Sequence, residues 1–166
     1  MQRCAVGQLF SSTNAFNRTL ANPRASQSTS SDISKGHTFT PQEASKLLPD
    51  IRIKIRGLIE HRRFISQLRT ELEKYSLLGY TSNEMAEKAA RLDALVDEGK
   101  EKIDEVEDLG VVVRDLEWGV VDFPAERFGR KVMLCWRYGE PEVSFWHEFE
   151  ESYPDRKLLK AQLIQP

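Results

Sequence analysis

Ionisable side chains gather in one short stretch of the chain: Asp115, Glu117, Asp122, Arg130, Cys135, Arg137, Glu140, His147 and Glu148. A pocket built from Asp122, Arg137, Glu140 and His147 would hold a metal ion or an anionic small molecule, or run acid–base chemistry. Arg130 and Cys135 complete the candidate set. Each member also has a structural reading. Asp122 before Phe123-Pro124 and Glu140 between Gly139 and Pro141 fit turns. Arg130 and Arg137 can pair with carboxylates across strands, and a cysteine such as Cys135 is more often a small buried apolar residue than a nucleophile. His147 beside Trp146 can be a satisfied sheet-edge residue. The chain has no HxxxH, HxH or CxxC spacing, so a metal site must be assembled from distant residues. No phosphate-binding loop, dinucleotide fingerprint or nucleophile elbow is present, which argues against a conventional nucleotide-using or hydrolytic enzyme. These residues identify neither a particular metal nor a cofactor.

The elements that would position this cluster are extended. Val111-Val112-Val113 and Gly119 to Phe123 read as two short strands, with Pro124 closing the second. Arg127-Phe128-Gly129-Arg130 is a turn, Lys131 to Tyr138 a strand, and Glu142 to His147 its antiparallel return after Gly139-Glu140-Pro141. A three-residue connection there puts Met133, Cys135 and Arg137 on one face with Val143, Phe145 and His147. A two-residue loop reverses the last strand. Both faces are apolar in either register, so the sheet is expected to be covered twice: by helices on one side, by Leu158, Leu159, Leu163 and Ile164 of the tail on the other.

The helices precede the strands. Thr40-Pro41-Gln42-Glu43 combines a Thr N-cap, Pro at the first helical position and Glu at the capping-box position. A short turn to Leu48 is expected, with Pro49 as a kink or as the start of the main helix. Ile51, Ile55, Leu58, Ile65, Leu68, Leu72 and Tyr75 then hold an apolar stripe to about Ser76, interrupted by Arg62. After Leu77-Leu78-Gly79-Tyr80, Thr81 and Glu84 form a second capping box, and Met85, Ala89, Leu92, Val96, Gly99, Ile103 and Val106 step as a heptad seam to the terminating Gly110. The first helix carries seven Lys/Arg against four Asp/Glu between Asp50 and Tyr75. The second carries four against ten between Glu84 and Asp108, so the two are expected to pair antiparallel. The basic residues Arg52, Lys54, Arg56, His61, Arg62 and Arg63 read as a solvated face beside an acidic neighbour rather than a nucleic-acid surface, since no aromatic or glycine-rich element interleaves them.

Bulk properties limit the remaining possibilities. The 166 residues, 40% apolar and 30% charged, suit one ordinary domain, and the net charge of -2 is too small to imply a strongly basic nucleic-acid binder or a strongly acidic decoy. No apolar run approaches the roughly 20 residues of a membrane-spanning helix. Two cysteines, Cys4 and Cys135, exclude a disulfide scaffold. From Met1 to Ser31 there is no acid, while Arg3, Arg18 and Arg24 sit among many Ser and Thr. That is the composition of an organellar transit peptide, plastid favoured and mitochondrion the alternative. The expected organisation is a disordered leader, residues 1–36, and one α+β domain, residues 37–166. The domain divides into a helical hairpin (37–110), an antiparallel β-meander (111–150) and a tail (151–166).

Phe39-Thr40-Pro41-Gln42-Glu43-Ala44 with Leu47-Leu48-Pro49, Val121-Asp122-Phe123-Pro124-Ala125, Cys135-Trp136-Arg137-Tyr138-Gly139-Glu140-Pro141-Glu142-Val143 and Trp146-His147 together resemble the conserved prokaryotic family catalogued as domain of unknown function 2203. The resemblance runs from about Phe39 to Leu159. It implies no activity, because the family has none assigned, and the label of a division-type coiled-coil protein reflects only the helical half. The leader departs from the bacterial pattern and suggests a eukaryotic member of bacterial descent returned to an organelle. On these grounds the leading expectation is a non-enzymatic assembly protein whose hairpin binds a protein partner or its own copy. The alternative is a small-ligand or metal-binding protein, with or without enzymatic activity, whose site lies around His147.

Overall fold

A computed structural model describes residues 37–79 and 82–159 of the chain. Two helices, α1 (Pro41–Leu77) and α2 (Asn83–Glu107), precede five strands: β1 (Val112–Asp115), β2 (Val120–Arg127), β3 (Arg130–Arg137), β4 (Phe145–Glu148) and β5 (Lys157–Leu158). The strands form one antiparallel sheet in the order β1-β2-β3-β4-β5. The α+β class and the hairpin-then-meander order are those expected, and the expected leader, residues 1–36, lies outside the described residues.

The first cap forms as expected: Thr40 Oγ1 accepts from the Glu43 amide at 3.2 Å, and Glu43 Oε2 accepts from the Thr40 amide at 2.8 Å. Pro49 does not start the main helix. It lies inside an uninterrupted 37-residue α1, exposed, so the hydrogen bond its ring removes falls on the solvent side. The second cap is one residue later than expected: Ser82 Oγ accepts from the Met85 amide, while Thr81 and Tyr80 lie outside the described residues. The helix ends at Glu107, and Gly110, at φ +85°, carries the chain onward with its amide donating to Glu107 O.

Ile51, Ile55, Leu58, Ile65 and Leu68 of α1 are buried with Leu92, Ile103 and Val106 of α2 in one apolar core. A Cβ at Gly99 would come within 3.3 Å of the His61 ring, so this glycine does let the helices approach closely. His61 Nε2 in turn donates to Leu95 O at 2.7 Å. The basic face is largely tied down: Lys54 pairs with Glu105, Arg62 with Glu117, and Arg52 donates to the Glu140 and Pro141 carbonyls.

Strand β2 does not end at Pro124 but runs through it to Arg127. The Pro124 carbonyl accepts from Phe39 N, so its peptide edge faces away from β3 and the missing N–H removes no ladder bond. Phe128 (φ +52°) and Gly129 (φ +71°) close a two-residue hairpin in which Arg127 pairs with Arg130. Between β3 and β4 the register is that of the three-residue alternative, with Met133 opposite His147 and Cys135 opposite Phe145. β4 is shorter than expected, because Val143 leaves the ladder for the core.

The tail corrects a second expectation. Leu158 does not cover a sheet face; Lys157 and Leu158 add an edge strand to β4, leaving Leu158 exposed. Leu159 packs against the core, and Leu163 and Ile164 lie outside the described residues. The sheet therefore has two unlike faces. Val121, Phe123, Ala125, Val132, Leu134, Trp136 and Trp146 turn inward to the helices. Val120, Asp122, Met133, Cys135 and His147 share the outer face and are also buried.

Candidate metal centre

Strand alternation places three chemically capable side chains side by side on that outer face. Asp122 on β2 is the direct partner of Cys135 on β3, and His147 on β4 is diagonal to Cys135. All three are fully buried, and one donor atom from each lies within 4.8 Å of the other two.

Each ligand atom is oriented from outside the trio. His147 Nδ1 lies 2.8 Å from the Glu148 carbonyl, which can only accept, so Nδ1 carries the proton and Nε2 presents its lone pair inward. Asp122 Oδ2 accepts from Arg114 Nε at 2.6 Å, while Oδ1 is buried without a hydrogen-bond partner. Nε2 stands 3.2 Å from Asp122 Oδ2, near enough for an ion pair but not aligned for a hydrogen bond. Two electron-rich atoms face one another there, which requires a proton or a metal ion between them.

Without a metal the proton is favoured. Burial works against the charged imidazole, but the Asp122 carboxylate, with help from the Glu148 carbonyl, raises the His147 pKa above its ordinary value. The Cys135 thiol is pushed far up, first by burial and then by Asp122, against a smaller opposing pull from Arg156. A thiol so held is no nucleophile; a bound cation is what would make it a thiolate.

The remaining candidates stand apart from the trio. Glu140 Oε2 accepts from the Arg137 amide at 2.9 Å, as a turn residue would, and its Oε1 lies 2.8 Å from Arg156 Nη1. Arg137 lies over the Tyr153 ring. Arg130 is exposed at the hairpin end, 3.7 Å from Glu148. Asp115 caps the Glu117 and Trp118 amides. Two contributors were missed in the sequence. Arg114 follows a valine run that reads as plain strand, and its alignment with Asp122 emerges only from the β1–β2 register, in which Val112 pairs with Asp122. Arg156, stacked 4.1 Å from both Phe145 and Tyr153, lies in a segment with no periodicity to read.

No curated protein and no solved structure matches the chain significantly. A family model described as an uncharacterized conserved protein matches residues 37–159, and this span takes in both helices, all five strands and the trio. The chain therefore belongs to the family of domain of unknown function 2203.

Proposed function

We propose that this protein binds a thiophilic transition-metal ion through Asp122, Cys135 and His147. The observation that supports this is the inward-facing His147 Nε2, 3.2 Å from a carboxylate oxygen in poor alignment for a hydrogen bond, with a buried thiol adjoining. In a tetrahedral site with bonds of 2.0–2.2 Å, neighbouring N and O ligands are about 3.3 Å apart, so this edge is already at coordination spacing. The Nδ1-to-carbonyl bond is the outer-shell contact that metal-ligating histidines make.

The test is retention of metal after chelator treatment, reloading with Zn(II), Co(II) or Cu(I) and exhaustive dialysis, read by elemental analysis. One ion per chain is expected for at least one metal, and none for Cys135→Ser or His147→Gln. Failure of the parent to retain any of the three refutes the reading.

A second reading, association through the helical hairpin, is favoured by Leu77 and Leu78 at its tip, 88% and 70% exposed. Most of the apolar stripe a partner would need is consumed in the chain's own core. Native mass spectrometry tests it: a dimer abolished by Leu77→Asp with Leu78→Asp supports association, and a monomer at micromolar concentration rejects it. The acid-free residues 1–31 support delivery to a plastid, or else a mitochondrion, which a fluorescent fusion of residues 1–36 would test.

A further inference from the structure

The charges around the trio are paired before any ion arrives. Asp122 is matched to Arg114, Glu140 to Arg156, Glu148 to Arg130 and Glu151 to Lys157. Arg137 adds a further positive charge on the same face, over Tyr153. Cys135 is thus the one group of the trio whose ionisation is not already compensated. A divalent ion on its thiolate would add a net positive charge in a fully buried place; a monovalent ion would add none.

The donor atoms point the same way. Asp122, the hard ligand, has one oxygen engaged by a guanidinium at 2.6 Å. Met133 is the direct cross-strand partner of His147, two residues from Cys135 on the same face. Directly opposed side chains start about 4.5–5.5 Å apart at Cβ, and a thioether is long and flexible enough to reach between them. Met133 is buried to 1% exposure yet does not join the apolar core cluster, nor do Val120 and Cys135 beside it on the outer face. Met133 therefore lies on the face of the trio and away from the apolar core, where an uncharged soft donor is useful.

We infer that the ion this site selects is Cu(I), held by the Cys135 thiolate, His147 Nε2 and the Met133 thioether, with Asp122, half engaged by Arg114, as a weaker oxygen contact at the Nε2–Oδ2 edge. This deepens the metal-binding reading and rests on it. Thiolate and thioether select soft ions, and Cu(I) accepts the low coordination number that three donors in a closed site provide.

Metal-free protein would be loaded anaerobically with Cu(I) from a bathocuproine disulfonate buffer, and separately titrated with Zn(II) against a chromophoric chelator. The expected result is one Cu(I) per chain in preference to Zn(II), with two sulfur scatterers per copper in X-ray absorption. Met133→Leu conserves volume, so the metal-free variant should melt like the parent. It should lose roughly tenfold or more in Cu(I) affinity, with Zn(II) affinity unchanged. A single sulfur scatterer in the parent overturns the inference whatever the fate of the variant. So does a stable Met133→Leu protein with parental Cu(I) affinity, or a preference for Zn(II), in each of which the broader metal-binding reading survives. Retention of neither ion overturns the inference, and failure to retain Co(II) as well overturns the broader reading with it.

Discussion

Replacing Arg114 by Met should be among the most costly single changes outside the apolar core. Asp122 is fully buried, and its Oδ2 takes its shortest bond, 2.6 Å, from Arg114 Nε. Met keeps most of the side-chain stem but removes the charge and the donor, leaving a buried carboxylate with only His147, 3.2 Å away and poorly aligned. Removing one partner of a buried ion pair typically costs about 3–5 kcal/mol. Two features place this case at the low end. Arg114 retains 24% exposure, which screens the pair, and the His147 imidazolium can take over part of the compensation. About 3 kcal/mol is therefore expected, a large share of the roughly 5–15 kcal/mol that holds an ordinary domain together. The assay is urea unfolding of the metal-free protein, with unchanged slope and a lowered midpoint. The double variant Arg114→Met with Asp122→Asn, which removes both charges, should recover most of the loss. An Arg114→Met midpoint equal to the parent's, or a double variant no better than the single, would refute the account of Asp122 as a buried charge dependent on Arg114.

Other expectations follow from packing and charge. Gly119 sits at φ +64°, and a Cβ there would lie 2.6 Å from Tyr138 Cβ and 3.0 Å from Ile59 Cδ1, so Gly119→Ala should cost roughly 2–4 kcal/mol by thermal melt; a parental melting temperature would show that the β1–β2 turn and α1 are not so closely apposed. Leu92→Asp or Ile103→Asp should each destabilise by several kcal/mol, while Leu77→Asp at the exposed tip should stay within about 0.5 kcal/mol. Equal effects at the three positions would show the core of the hairpin to be misplaced. His147, flanked by Asp122, Cys135 and Arg114, has its folded pKa raised above the ordinary 6.5. In the metal-free protein its stabilising contribution should be complete below about pH 6.5 and be lost as pH rises through the higher folded value, whereas metal affinity should increase with pH as the proton leaves. His147→Gln should flatten the alkaline loss seen in denaturant midpoints between pH 6 and pH 9; an unchanged profile would place the titrating group elsewhere.

What could be read from the chain alone was local. Thr40, Pro41 and Glu43 announce a helix start because a cap is satisfied within four residues, and the Ile and Leu spacing of α1 and α2 follows from 3.6 residues per turn. The Phe128-Gly129 hairpin was legible for the same reason, since a two-residue turn carries its own backbone demands. Asp122, Cys135 and His147 were visible as members of a polar crowd, but nothing in their types separates them from Arg130, Arg137 and Glu140. Only tertiary structure decides that separation. Side chains on a sheet meet by register, so the β2–β3 pairing brings Asp122 against Cys135, and the β3–β4 pairing brings His147 opposite Met133 rather than one face away. Pro49 does not open a new helix and Pro124 does not close β2, because a missing N–H matters only where its carbonyl partner would have been; Pro49 lies exposed, and the Pro124 edge is turned to Phe39 rather than to β3. Arg114 reaches Asp122 only once β1 lies beside β2. Charge pairing across a sheet is a property of the assembled face, and the separate strands do not encode it.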